Sequence, residues 1–234
     1  LHTRITQIPE LVEAAKKHNR SLHDVRHPSR EFDVGNGINR SGKRLLTVGT
    51  DVSVGKMFTA LAVEQEMKKR GFDADFRATG QTGIFIAGSG VSIDAVVADF
   101  ISGAVEWLCP ENSENHWDIV EGQGSLFNVS YAGVTLGLIH GSQPDALVVC
   151  HEAGRPHMRS MPHFPLIDLP TCIDVNLQAA RLTNPDVRCV GAAINTSRLS
   201  EEEGRVFCDK ISQEIGLPAV DPLRDGVASL VDQI

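Results

Sequence analysis

The stretch RLLTVGTDVSVGKM, residues 44–57, decides the fold. Its first part, Arg44–Gly49, is an apolar run of strand length, and a helical pattern over Gly55–Arg70 follows the glycine-containing turn. Where such a turn ends in Gly-Lys, successive backbone N–H groups and the helix N-terminus surround an anion, which the lysine neutralises. The sequence therefore predicts a phosphate-binding loop made of Thr50, Asp51, Val52, Ser53, Val54, Gly55, Lys56 and Met57.

Two residues depart from the usual form of this loop. Thr50 stands where the first glycine is usual, and Met57 follows Lys56 at the position of a serine or threonine. The hydroxyl at that second position normally binds Mg²⁺. Because a thioether is a poor ligand for a hard cation, we expect the loop to bind a phosphate group without requiring a metal ion.

Outward from this loop, strand-like and helix-like segments alternate to the end of the chain. Apolar runs predict further strands at Asp73–Ala78, Trp117–Glu121, Ala146–His151, Arg188–Asn195 and Pro218–Asp221. Helical patterns lie at Ile93–Leu108, near Tyr131–His140, and at Leu169–Leu182 and Ser200–Ile215, with a short helix at the end. Alternation of this kind indicates βαβ units, and strands that are apolar throughout have helices on both faces. We therefore predict an α/β fold over residues 44–234, with a mostly parallel sheet in a P-loop NTPase-like three-layer sandwich.

Residues 1–43 have a different composition. They contain one amphipathic helix, about Ile8–Asn19, and then a stretch rich in Pro, Gly, Arg, Asn and Ser. Such a stretch is typical of a connector. We therefore expect residues 1–43 to be separate from the domain that begins at Arg44.

The overall composition argues against several classes of function. The chain has 234 residues, a formal net charge of −8 and 5% aromatic residues, which disfavours a nucleic-acid-binding surface. No apolar run approaches the roughly 20 residues that cross a bilayer, and no signal peptide is evident. The five cysteines form no CxxC pair, which is typical of reduced thiols in a cytoplasmic protein. We expect small molecules as partners, with no nucleic acid and no membrane.

Two motifs carry a resemblance to known families. GTDVSVGK, residues 49–56, is similar to the loop of dethiobiotin synthetases, and EGQGSL, residues 121–126, resembles their acidic Glu-Gly segment after a later strand. A closer resemblance covers nearly all of the chain. The sequence is identified as a member of the D-glutamate N-acetyltransferase family, formerly a P-loop-like family of unknown function, and the shared stretches are residues 41–57, 75–100, 121–152 and 180–197.

This resemblance implies transfer of an acetyl group from acetyl-coenzyme A to the amino group of D-glutamate, giving N-acetyl-D-glutamate. Coenzyme A carries a diphosphate and a 3′-phosphate, which a loop without a metal-binding hydroxyl can bind without hydrolysis. The resemblance also implies a Rossmann-like domain before position 1, with residues 1–43 as its tail and exit linker. It further implies a homo-oligomer.

Acetyl transfer to an amine requires a base for the ammonium proton. Glu121, at the end of a predicted strand, is the first candidate, and Asp51 and Asp94 are its rivals. Two other roles stay open: Asp94 can simply favour a helix N-terminus, and Glu121 can order water or a cation.

The two carboxylates of the acceptor require cationic partners, for which the sequence offers two segments. Arg77 ends a predicted strand, where ligands bind in open α/β sheets, and a cradle there would consist of Arg77, Thr79, Gln81 and Thr82. The loop after Ala146–His151 holds a basic cluster of Arg155, His157 and Arg159, suited to a second carboxylate or to the 3′-phosphate.

Two further inferences concern ligands. The histidines of that loop, His151, His157 and His163, are six residues apart, which is not the spacing of a helical metal site. By analogy with related P-loop folds, Asn195 is expected to contact adenine.

Two alternative functions remain open at this point. One is an ATP- and Mg²⁺-dependent ligase or kinase resembling dethiobiotin synthetase, which Met57 disfavours. The other is a nucleotide-binding module that binds a ligand without turning it over.

Overall fold

The computed structural model describes residues 3–28 and 30–234. Leu1, His2 and Ser29, which belong to the predicted segment 1–43, lie outside the described residues. Within the described residues, eight strands form two sheets: β1 Lys43–Gly49, β2 Ala74–Arg77, β3 Trp117–Val120, β4 Ala146–Glu152, β5 His157–Met158, β6 Met161–Pro165, β7 Arg188–Asn195 and β8 Ala219–Val220. The helices are α1 Pro9–Lys17, α2 Lys56–Lys69, α3 Gln81–Ala87, α4 Ile101–Leu108, α5 Ala132–Ser142, α6 Leu169–Ala180, α7 Glu201–Ile215 and α8 Ala228–Val231.

The main sheet has six strands in the order β2-β3-β1-β4-β7-β8, and every neighbouring pair is parallel. β1 lies near its centre, with Leu45 opposite Ile119 on one side and Ala146 on the other. This position places the phosphate-binding loop, which follows β1, at the middle of the carboxyl edge of the sheet.

Alternate residues of each central strand enter different cores. Leu46, Val48 and Leu147 pack with α4, α5, α6 and α7 on one face, whereas Leu45 and Val148 pack with α2 and α8 on the other. Because both faces are covered by helices, the central strands are apolar throughout. The predicted α/β class and three-layer arrangement are confirmed.

The structure differs from the predicted elements in three places. The predicted helix Ile93–Leu108 consists of two 3₁₀ turns, Ile93–Ala95 and Ala98–Phe100, followed by α4. A short helix, α3, lies in the segment that was expected to be a strand-end loop. The proline-containing loop after β4 contains a hairpin, in which β5 and β6 pair antiparallel.

Part of the predicted connector packs on the domain. The N–H groups of Asn36 and Gly37 donate to the Glu106 carboxylate of α4, and Arg40 donates to the carbonyl oxygens of Cys109 and Gly141. By contrast, α1 has no buried residue. The boundary at residue 43 and the assignment of residues 1–43 to a preceding domain stay predictions.

Among the described residues, no helix combines the length and the apolar character needed to span a membrane.

The contact between α4 and α5 depends on glycine, and this gives a first prediction. A methyl group at Gly141 would lie 2.4 Å from the Ser102 carbonyl oxygen, whereas one at Gly133, on the same helix, has no neighbour within 4 Å. We expect Gly141→Ala to lower the free energy of unfolding by about 1–3 kcal/mol, as overpacking does. Gly133→Ala is the matched control and should leave stability unchanged or raise it by up to about 1 kcal/mol. Urea unfolding measures both, and equal effects of the two substitutions would contradict this packing.

Candidate functional site

The loop between β1 and α2 has the geometry of an anion site. Ser53 has a φ of 55° and Gly55 a φ of 106°, so the chain turns sharply before α2 begins. Within the described part of the chain, the N–H groups of Ser53, Val54 and Gly55 enter no backbone hydrogen bond. The first N–H groups of a helix also have no partner inside it. Together these unpaired donors at a helix N-terminus form a cradle for a phosphate group.

Lys56 adds a positive charge to this cradle. The residue is buried, and its Nζ donates to the carbonyl oxygen of Asp51 at 2.8 Å. Burial lowers the pKa of this ammonium group to about 8, because desolvation disfavours the charged form. The charge of Lys56 is therefore lost close to the physiological range unless an anion binds beside it.

Arg155 holds the loop through its carbonyl groups. Its guanidinium donates to the carbonyl oxygens of Val52, at 2.8 Å, and Ser53, at 3.0 Å, and to the Asp51 carboxylate at 2.8 Å. A second carboxylate, that of Glu152, also binds this guanidinium. Because Arg155 is occupied by these groups, the geometry argues against its predicted role in binding a substrate carboxylate or a 3′-phosphate. Arg155 positions the loop instead.

Asp51 joins the phosphate-binding loop to two other segments, the one that contains Asn128 and the one that contains Arg155 and Arg159. Its buried carboxylate accepts from Asn128 Nδ2 at 2.9 Å, from Arg155 Nη1 at 2.8 Å and from the Arg159 N–H at 2.6 Å. Burial alone would raise the pKa of Asp51, but these hydrogen bonds outweigh it and hold the pKa below its ordinary value. A carboxylate with a depressed pKa and three donors is a poor proton acceptor, which argues against Asp51 as the base.

Glu121 follows β3 and is buried beside the loop. Its carboxylate accepts from the N–H groups of Thr79, at 2.9 Å, and Gly80, at 3.1 Å, and from Gln123 Nε2 at 3.0 Å. Burial raises the pKa of Glu121, although these hydrogen bonds oppose the shift. A methyl group at Gly83 would lie 2.2 Å from Glu121 Oε2, so α3 is packed directly against this carboxylate. The raised pKa of Glu121 is compatible with a role as a base. Its contacts, however, are those of a residue that positions Gln123 and α3.

Two cavities flank the loop. One, of about 460 Å³, is lined by Val54, Gly55, Asn195 and Asp221, and the adenine contact of Asn195 stays a prediction. The other, of about 370 Å³, is lined by Val52, Ser53, Asp94, Gln123, Tyr131 and Arg159. Glu121 does not line this second cavity, whereas its partner Gln123 does. The structure therefore brings Asp94 and Arg159 together beside the loop.

Asp94 is not an isolated carboxylate. It pairs with Arg26 at 2.6 Å and accepts from Ser92 Oγ at 2.9 Å. Its side chain remains 41% exposed, so it is accessible from the cavity.

Other predicted residues lie outside this arrangement. Arg77 Nε contacts Asp118 at 2.5 Å, and its side chain lines a separate groove beside α2 and β2, which argues against the predicted cradle. Thr79 donates its hydroxyl to the Glu121 carbonyl oxygen at 2.5 Å, and Gln81 and Thr82 begin α3. His157 contacts its neighbour's carbonyl group through Nδ1 at 3.0 Å.

Several residues of the site were not identified from the sequence. They are Gln123, Ser125, Asn128, Tyr131 and His151. Ser125 Oγ donates to the Gly49 carbonyl oxygen at 2.8 Å, and Thr50 Oγ1 contacts His151 Nδ1 at 3.1 Å. The polar segment that begins with EGQG was the available signal, because four of these residues, all except His151, lie within ten positions after Glu121.

The bonds of Asp51 give a prediction for stability against pH. Because the native pKa of Asp51 is depressed, its stabilisation is complete above the unfolded value of about 3.8 and is lost as the pH falls through the native value. Asp51→Asn removes the charge that strengthens these hydrogen bonds, whereas Glu152 still pairs with Arg155, so we expect a loss of about 2 kcal/mol at pH 7. This deficit should shrink only below about pH 3.8.

Urea unfolding from pH 7 to pH 3 tests this expectation. Asp174→Asn is the control, since Asp174 is exposed on α6, and it should match the wild type throughout. If the loss of unfolding free energy in Asp51→Asn were constant over the whole pH range, it would contradict stabilisation by the charge of the Asp51 carboxylate.

Comparison with known proteins identifies the family. Residues 33–231 match a family described as a domain of unknown function, the DUF1611_C P-loop domain. A D-glutamate N-acetyltransferase from Pseudoalteromonas sp. is 58% identical over 231 residues, which cover 99% of this chain and 70% of that protein. Another, from Tritonibacter scottomollicae, is 51% identical over 234 residues, covering 100% and 70%.

A solved structure supports the same relation. The crystal structure of a DUF1611 family protein from Anabaena variabilis is 38% identical, with a TM-score of 0.92 over 100% of this chain and 69% of that one. The chain therefore belongs to the DUF1611 P-loop family and is a homologue of these D-glutamate N-acetyltransferases.

Proposed function

We propose that this protein is a D-glutamate N-acetyltransferase that takes the acetyl group from acetyl-coenzyme A. The observation that carries the proposal is the 58% identity to an enzyme of that name over 99% of the chain. At this level the relation extends across the loop, both flanking cavities and the hairpin. The products are N-acetyl-D-glutamate and coenzyme A.

The loop and one cavity fit the donor. The unpaired N–H groups before α2 and the ammonium group of Lys56 suit a phosphate group of coenzyme A. The cavity of about 460 Å³ beside Gly55 suits the adenosine. There Asn195 Oδ1 accepts from the Ser197 N–H at 3.0 Å. This bond uses the amide oxygen and not the amide nitrogen, which supports the proposed adenine contact.

The loop also fits binding without a metal. Met57 stands where the Mg²⁺-binding hydroxyl is usual, and the next hydroxyl, that of Thr59, is buried against Cys150 Sγ at 3.5 Å. The Met57 side chain supplies no oxygen of the kind that a hard cation prefers, and the Thr59 hydroxyl already contacts Cys150. We therefore propose that phosphate binding here serves to anchor the donor.

The reaction requires a neutral amine. Once the ammonium group has lost a proton, its nitrogen attacks the thioester carbonyl carbon, the C–N bond forms, and the C–S bond breaks. The attacking nitrogen then loses its second proton, and the thiolate of coenzyme A leaves and takes up a proton, so that the overall reaction releases one proton. We assign to Asp94 the role of the base that accepts the proton lost by the ammonium group, because Asp94 is the candidate carboxylate that lines the cavity of about 370 Å³. In this assignment Glu121 is a positioning residue, which holds Gln123 and α3 in place through its carboxylate.

Three other properties are part of the proposal. A cytoplasmic location and a homo-oligomeric state follow from the sequence inferences and the family resemblance. A Rossmann-like domain before position 1 follows from that resemblance alone.

The first test measures release of coenzyme A. Full-length protein is incubated with acetyl-coenzyme A and either D-glutamate or L-glutamate, with and without a chelator, and free thiol is scored. We expect release that depends on D-glutamate and is unchanged by the chelator. No release with D-glutamate would overturn the proposal.

A substitution at position 57 separates this function from an ATP-dependent ligase. Met57→Thr restores the usual hydroxyl, and we expect it to leave acetyl transfer within a few-fold of the wild type. Mg²⁺-dependent ATP hydrolysis gained by this variant, together with wild-type protein that is inactive with acetyl-coenzyme A, would support the ligase instead.

The pKa of Lys56 predicts how donor binding depends on pH. The protonated lysine binds the phosphate, so affinity is lost as the pH rises through about 8. Calorimetry with acetyl-coenzyme A, whose thiol is blocked, should show the Kd rising up to about tenfold per pH unit above that value. Lys56→Met should bind weakly at pH 7 and lack this rise. A wild-type Kd that stays constant to pH 9.5 would contradict the role of Lys56.

A further inference from the structure

The acceptor, D-glutamate, has two carboxylates, and the sequence offers three arginines for them. Two of the three are already paired within the protein. Arg77 contacts Asp118 at 2.5 Å and Asp75 at 3.8 Å, and Arg155 contacts Asp51 and Glu152. An arginine whose guanidinium is neutralised by protein carboxylates has little to offer a substrate.

Arg159 is different. Among the described residues its guanidinium has no ion pair and no hydrogen-bonding partner, and the side chain is exposed. It also lines the cavity of about 370 Å³ beside Val52 and Ser53. An unpaired guanidinium in a cavity next to a donor-binding loop is suited to bidentate binding of a carboxylate.

The backbone fixes the place of Arg159. It lies in the turn between β5 and β6, where Ser160 has a φ of 63°. Its N–H donates to Asp51 Oδ2 at 2.6 Å, so the same carboxylate that fixes the loop also fixes this turn. Because the backbone, and not the guanidinium, makes this bond, the side chain is positioned and yet remains available.

The other wall of the cavity contains a carboxylate. Asp94 lines it, together with the Gln123 amide and the Tyr131 ring. Asp94 pairs with Arg26, yet its side chain remains 41% exposed. A cavity with a guanidinium and a carboxylate complements a molecule that carries both carboxylate and ammonium groups. Its volume, about 370 Å³, lies within the usual range of small-molecule sites.

We propose that this cavity is the acceptor site and that the Arg159 guanidinium binds a carboxylate of D-glutamate there. This inference rests on the proposed function. Of the seven substrate-binding residues expected from the sequence, it selects Arg159 as the side chain that anchors the acceptor. Arg159 and Asn195 line different cavities beside the loop.

Steady-state kinetics of full-length Arg159→Ala test the proposal. We expect the KM for D-glutamate to rise about 10-fold to 100-fold, as for the loss of charged hydrogen bonds, with the KM for acetyl-coenzyme A within twofold of the wild type. Arg159→Lys keeps the charge without the planar fork and should fall between the two. Arg181→Ala, which removes an exposed arginine at the end of α6, is the control and should match the wild type.

Two analogues identify which carboxylate is bound. D-Glutamine lacks the side-chain carboxylate, and D-isoglutamine lacks the α-carboxylate. If Arg159 binds the side-chain group, Arg159→Ala abolishes the preference for D-glutamate over D-glutamine. If it binds the α-carboxylate, the preference over D-isoglutamine is abolished.

The failures can be told apart. Wild-type protein that transfers no acetyl group to D-glutamate overturns the proposed function and this inference with it. An active wild type with an unchanged KM for D-glutamate in Arg159→Ala overturns this inference alone. So does a variant in which only the KM for acetyl-coenzyme A rises, because Arg159 then binds the donor.

Discussion

The site depends on one buried carboxylate, that of Asp51. It joins three segments that are distant in sequence: the phosphate-binding loop that contains it, Asn128 after β3, and the hairpin through Arg155 and Arg159. A buried charge is tolerated only when it is paired and fully hydrogen-bonded. The position of each segment is therefore tied to the other two. The shape of the phosphate-binding loop and the position of the Arg159 side of the proposed acceptor cavity follow from this single set of contacts.

The central strands could be predicted because their residues are buried on both faces. Runs such as LLTVG and ALVVC are almost entirely apolar, and helices cover them on both faces of the sheet. α3 and the hairpin of β5 and β6 could not be predicted in the same way. Gly83 makes α3 a weak helix by local propensity, and glycine is required there because Glu121 approaches it closely. Tertiary contact, which no local pattern encodes, selects these elements.

The same division applies to the site. The loop is local, so its residue types and spacing reveal it. The state of each arginine is not local. Asp118 lies 41 residues from Arg77 and Asp51 lies 104 residues from Arg155. The three arginines look alike in the sequence, and only the structure distinguishes the two that are paired from Arg159. The position of Asp94 on the cavity wall is likewise a product of the fold.

Met57 is consistent with the use that the proposed reaction makes of this loop. In phosphoryl transfer the loop holds the reacting phosphate, and the metal ion stabilises charge that develops there. In acetyl transfer the reacting group is the thioester, and the phosphate serves only as an anchor. The hydroxyl that binds Mg²⁺ then has no role, whereas the N–H groups and Lys56 retain theirs. The loss of this hydroxyl and the retention of Gly55 and Lys56 are thus both expected of a phosphate-binding loop that anchors its ligand and leaves the phosphate intact.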